Sequence, residues 1–140
     1  MKFIRISLIF SLLIFFQACG PTQEDLNRER RAEVIAVHDE VMPKLGQLKT
    51  LEKRAIQKAG ELAAMDSVDS DQIKRLEGLA VELNQAYEGM FDWMHQYEPE
   101  DKGESPEAIA AYLEEQMVSV TEVNKAIKGV LAKSDSLLVD

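Results

Sequence analysis

Apolar positions recur along this chain with the period of a helix. Val34, Val41, Leu48, Ala55 and Leu62 stand seven residues apart, and Val37, His38, Leu45, Leu51, Ala59 and Met65 fill the gaps between them. Glu, Lys, Arg and Gln occupy the remaining faces. A sustained a/d-type stripe with a charged reverse side predicts one amphipathic helix from about 24 to 65. Pro43 interrupts it. A proline inside a helix removes one backbone hydrogen bond and presses on the carbonyl four residues back, here that of Asp39, at a cost of about 3 kcal/mol. It also pushes Met42 away from helical geometry. The stripe keeps phase on both sides, so the pattern predicts a kink near Pro43 rather than a helix boundary. A freed carbonyl then lies within one turn of His38.

The polar run Asp66-Ser67-Val68-Asp69-Ser70-Asp71 predicts a turn, with Asp69 or Ser70 as cap of a second helix over about 71–98. Ile73, Leu76, Ala80, Leu83, Tyr87, Met90, Met94 and Tyr97 form its stripe, flanked by Leu79, Phe91 and Trp93. Pro99 stops it. After the turn Glu100–Glu104, Ser105-Pro106-Glu107 places a cap, a first-turn proline and an acid in the order that opens a third helix, over about 105–138. Its stripe runs Ile109, Leu113, Gln116, Val120, Val123, Ile127, Val130, Leu137, widened by Tyr112 and Met117. No run alternates with period two. The expected fold is all-α, an antiparallel up-down-up three-helix bundle joined by short loops.

Short loops also set the register. With 1.5 Å of rise per residue on both sides, Met94 comes opposite residue 42, Tyr97 opposite 39 and Met90 opposite 46. Both histidines, Met42, Met90, Met94 and the single tryptophan therefore share one end of the bundle. The third helix starts at that end, contributing Ile109 and Tyr112.

The N-terminus changes the picture from a helical domain to an envelope protein. Lys2 and Arg5 precede an apolar run, Ile6 to Phe16, too short for the ~20-residue span of a membrane helix and suited to a signal peptide. The run ends in Phe16-Gln17-Ala18-Cys19, which resembles a bacterial lipobox, although Phe16 and Gln17 depart from its usual residues. That resemblance implies a signal peptide over 1–18, acylation of Cys19 (palmitate among the chains) and a tether over 19–23 before the bundle of 24–140. Several acyl chains make a durable membrane anchor. By the same resemblance, Gly20 rather than Asp after the cysteine implies sorting to the outer membrane, with its periplasmic and surface faces both open. Cys19 is the only cysteine, so no disulfide forms within the chain.

Charge excludes one class of partner. The formal net charge is −9, and removal of Lys2 and Arg5 with the leader makes it −11. Nucleic acid and anionic lipid repel such a chain, and no basic patch offsets this. Enzymatic chemistry finds no foothold: no serine is placed to pair with a histidine, and no glycine-rich phosphate loop occurs.

The His/Met/Trp cluster supports two readings. In one, Met fills irregular space at the wide end of a kinked bundle and His38 bonds a carbonyl that Pro43 exposes. In the other, thioethers and imidazole form a soft-metal site selecting Cu(I). Its ligands would come from His38, Met42, Met90, Met94 and His95, with Trp93 as a capping aromatic. His38/Met42 and Met90/Met94 have the i,i+4 spacing that sets two side chains together on a helix. Zinc fits poorly without a thiolate. A di-iron bundle needs two Glu-x-x-His elements, and Ile35 precedes His38 by three.

The segments His38-Asp39-Glu40-Val41-Met42-Pro43-Lys44 and Ala86-Tyr87-Glu88-Gly89-Met90-Phe91-Asp92-Trp93-Met94-His95 resemble a family of small envelope lipoproteins of unknown function. Some members bear a name likening them to a viral A-type inclusion protein, which reflects coiled-coil repeats. The resemblance implies a lipid-anchored helical bundle and supplies no activity. The leading expectation is a non-enzymatic binding or scaffold protein, with a protein partner or self-association through the long stripe. A copper(I)-binding lipoprotein is the alternative.

Overall fold

A computed structural model describes residues 20–67 and 69–138. The expected signal peptide and Cys19 lie outside the described residues. Among the described residues four α-helices follow in order: α1 (Gln23–Val41), α2 (Leu45–Ala63), α3 (Ser70–Gln96) and α4 (Pro106–Leu137). A 3-10 turn, Met42–Lys44, joins α1 to α2, so these two form the bent first arm of an up-down-up three-arm bundle. The described residues contain no strand and no helix long and apolar enough to cross a membrane.

The bend has a simple local cause. Pro43 has no N–H to give, and the chain tightens for one turn instead of breaking. The Met42 N–H still reaches the His38 carbonyl, while the Leu45 N–H bonds the nearer Met42 carbonyl. Backbone dihedrals stay right-handed through Val41, Lys44 and Leu45, and this keeps the apolar stripe in phase across the bend.

Three of these helices start on a side-chain cap, while α2 follows directly from the 3-10 turn. Thr22 and Asp25 form a reciprocal capping box on α1, at 3.2 and 3.1 Å. Asp69 accepts from the Gln72 N–H and Ser105 from the Ala108 N–H. Before α4 the chain reverses through Asp101–Glu104, where Lys102 and Gly103 have φ of +38° and +78°. Two positive φ values in succession suit glycine at the second place.

The heptad stripe of the first arm forms the core. Val34, Val41, Leu48 and Ala55 have no exposed surface, and they pack with Leu76, Leu79, Leu83, Met90, Val120 and Ile127. On α3 the buried seam is Leu76, Leu79, Leu83, Ala86, Met90 and Trp93. This corrects the stripe expected from sequence, which made Met94 central and Trp93 a flank. The 3.5-residue spacing 79-83-86-90-93 faces both neighbouring arms at once, and the indole has the most apolar surface to remove from water.

Two buried asparagines pin α1 alongside α4. Asn27, 6% exposed, donates to the Pro106 carbonyl at 2.7 Å. Asn124, 5% exposed, donates to the Val37 carbonyl at 2.8 Å and to Glu40 at 3.0 Å. Both carry their polar groups into the core with partners supplied, as burial demands.

The arms are staggered. Lys133 pairs with Glu82, which brings the end of α4 level with about residue 78 of α3 by equal rise per residue. The tip of the α2–α3 hairpin therefore stands beyond α4. Nearer the bend, level with the last turns of α4, Ile56 and Val81, each 56% exposed, line an open groove between α2 and α3 with Glu52, Glu77, Ala80, Asn84 and Gln85.

Candidate functional site at the bend

Loop length fixes the register near the hairpin, and contacts along α2 and α3 follow it. Lys49 hydrogen-bonds Asn84 at 3.0 Å and stands over the Tyr87 ring, 5.1 Å from its centre. Met42 precedes Lys49 by seven residues and Met94 follows Tyr87 by seven, so this register, continued for two turns, would bring the two methionines level at the bend. Both are half-buried against the core. Further along, α1 departs from the register. His38 meets Trp93, and Arg31 meets Tyr97, where equal rise would place them about a turn or more further along α3. The greater rise of the 3-10 turn, ~2.0 Å per residue, would shift α1 the other way, so the slip belongs to the bend itself: a helix inclined to α3 advances along it by less than ~1.5 Å per residue.

His38 is the centre of the site. Its ring lies 5.5 Å from that of Trp93, tilted by 34°, and its side chain is 15% exposed. Nδ1 is 2.8 Å from the Asp39 carboxylate. An ionised carboxylate only accepts, so in the neutral ring the proton sits on Nδ1 and Nε2 keeps its lone pair. That Nε2 is buried without a hydrogen-bond partner, and so is Nε1 of Trp93.

From Trp93 a ladder of rings leads to the loop end. Trp93 stacks on Tyr97 with centroids 4.8 Å apart, and Tyr97 lies 6.3 Å from Tyr112 of α4. The Glu98 N–H donates to the Tyr112 hydroxyl at 2.6 Å. Burial pushes the Tyr112 phenol above its usual range, against the opposing effect of that bond. Arg31 closes the ladder by donating to the Tyr97 hydroxyl and the Glu98 carbonyl and pairing with Asp101.

The remaining expected site residues separate by exposure. Met90 is fully buried in the seam one turn from Trp93, and His95 is exposed. Ile109 is half-buried near Tyr112, in the pocket that Arg31 also lines. Among the described residues, no three His, Cys, Asp or Glu side chains gather in a metal-holding group.

Comparison with known proteins identifies no relative: no family model, no curated protein and no solved structure matches the chain. The site is therefore read from its own chemistry.

On the α4 side of the bend, Glu40 accepts from Lys128 and Asn124, and these two bonds hold its carboxyl below the usual range. Periodicity alone did not single out Asn27 or Asn124. The signal was present, since Asn27 precedes Val34 by one heptad and Asn124 stands three before Ile127. An asparagine in a core position specifies register.

Proposed function

We propose that this protein is a lipid-anchored, non-enzymatic helical binding module of the bacterial cell envelope, held to the outer membrane through Cys19. The observation that carries the binding role is the groove at the α2–α3 hairpin, where Ile56 and Val81 keep more than half of their surface in water. An apolar strip between two helices is the surface that a further helix covers in a bundle. An anchor at Cys19 adds a direction. From the start of α1 to Ile56 the first arm rises about 50 Å, so the groove is presented well away from the lipid.

The occupant we favour is an amphipathic helix of another protein. A second copy brings another strongly acidic chain, and like net charge opposes its approach at low salt. The proposal is tested in two steps. Metabolic labelling with a palmitate analogue and detergent-phase partition should mark the wild type and spare Cys19→Ser; an unlabelled, water-soluble wild type refutes the anchor. A photo-crosslinker at Val81 should then give one defined adduct that is absent for a crosslinker at Lys125 on the exposed face of α4. Equal adducts from both positions refute the groove.

A further inference from the structure

We infer that the bend is a soft-cation site, built to take one Cu(I) ion on Nε2 of His38 and the thioether sulfurs of Met42 and Met94, with the Trp93 indole against it. This goes beyond the binding-module reading and does not depend on the lipid anchor. Four observations carry it. His38 Nε2 is buried with its lone pair unused. Its other nitrogen is held by the Asp39 carboxylate, the arrangement that fixes the tautomer and orientation of a metal-binding imidazole. Met42 stands one turn from His38, its N–H on the His38 carbonyl, and Met94 adjoins Trp93 in sequence, both thioethers half-buried against the core. The Trp93 ring lies beside the His38 ring, where an aromatic face attracts a cation.

The donor set selects the ion. Neutral imidazole and thioether are poor ligands for hard cations and good ones for Cu(I). Carboxylates do not compete for the interior, because Asp39 remains two-thirds exposed and engages Nδ1 from outside. The ion binds to preformed lone pairs, and no electron changes hands. Asp39 is a positioning residue and touches no ligand directly.

The test is an anaerobic Cu(I) titration of a chain starting at Gly20, which contains the whole core, against a competing chromophoric chelator, with Trp93 emission recorded alongside. One equivalent should be withdrawn from the chelator and Trp93 emission should be quenched to the same endpoint. Ag(I) should reproduce both effects and Zn(II) neither. His38→Gln, Met42→Leu and Met94→Leu should each weaken binding by roughly tenfold or more. Asp39→Asn should weaken it roughly 10- to 100-fold. The Met→Leu changes conserve volume and should leave the helical fold and its melting intact. A wild type that withdraws no Cu(I), or variants that bind as tightly as the wild type, overturns the proposal and leaves the cluster as core packing.

Discussion

His38 and Trp93 face each other from two different arms, with ring centroids 5.5 Å apart and one buried, unpartnered ring nitrogen on each. A buried polar atom without a partner costs about 1–3 kcal/mol. Apolar rings of similar size would remove that cost. His38→Phe is therefore expected to keep or raise the melting temperature while abolishing Cu(I) withdrawal. A loss of several degrees would instead show that His38 supports the fold.

Truncations should divide the apolar residues into two classes. Leu48 and Leu83 are fully buried, and Leu→Ala at either should cost about 2–5 kcal/mol in chemical denaturation. Ile56→Ser and Val81→Ser, at the exposed groove, should stay within about 0.5 kcal/mol of the wild type. A large loss at Ile56 would mean that the groove is closed in solution.

The two buried asparagines should govern alignment more than strength. Removing either by Ala leaves a backbone carbonyl, that of Pro106 or of Val37, short of a donor, at about 1–3 kcal/mol. Replacing both by Leu keeps the core filled and is expected to maintain stability while loosening the alignment of α1 with α4. Sedimentation would then show more than one oligomeric state, and amide spectra more than one set of α1 resonances. A single monomeric species with unchanged α1–α4 contacts would contradict this role.

Acid should weaken the molecule in a definite window. Hydrogen bonds from the Thr22 side chain and backbone hold the Asp25 carboxyl below its ordinary range, and Lys128 and Asn124 do so for Glu40. A depressed carboxylate stabilises the fold above its ordinary range, and the contribution is lost as pH falls through the folded-state value. The melting temperature should hold down to the ordinary carboxylate range and fall below it. Asp25→Asn with Glu40→Gln should lower the neutral value and flatten the acid limb. Lys49, raised chiefly by its bond to Glu52, has the opposite sign, and its contribution disappears only as pH rises through the folded-state lysine value.

The fold was legible because heptad spacing and caps act locally. Val34 to Ala55 named the core of the first arm, and Ser105-Pro106 marked the start of α4 to within a residue. Pro43 marked the bend. Its form, a single 3-10 turn, depends on which carbonyl the Leu45 amide selects, and no period encodes that. The site was legible as a neighbourhood but not in its orientation. Met94 and Trp93 are adjacent in sequence, and which of them turns inward depends on α4 as well as the first arm. The pairing of His38 with Trp93 needed the slip at the bend. The bond from Nδ1 to Asp39, which frees Nε2, depends on a side-chain rotamer.

The protonation of His38 tests the centre of this account most directly. A long-range proton–nitrogen correlation spectrum of the imidazole should show the proton on Nδ1 and a bare Nε2, with one equivalent of Cu(I) shifting Nε2 alone. A proton on Nε2, or an Nε2 resonance indifferent to Cu(I), would contradict it.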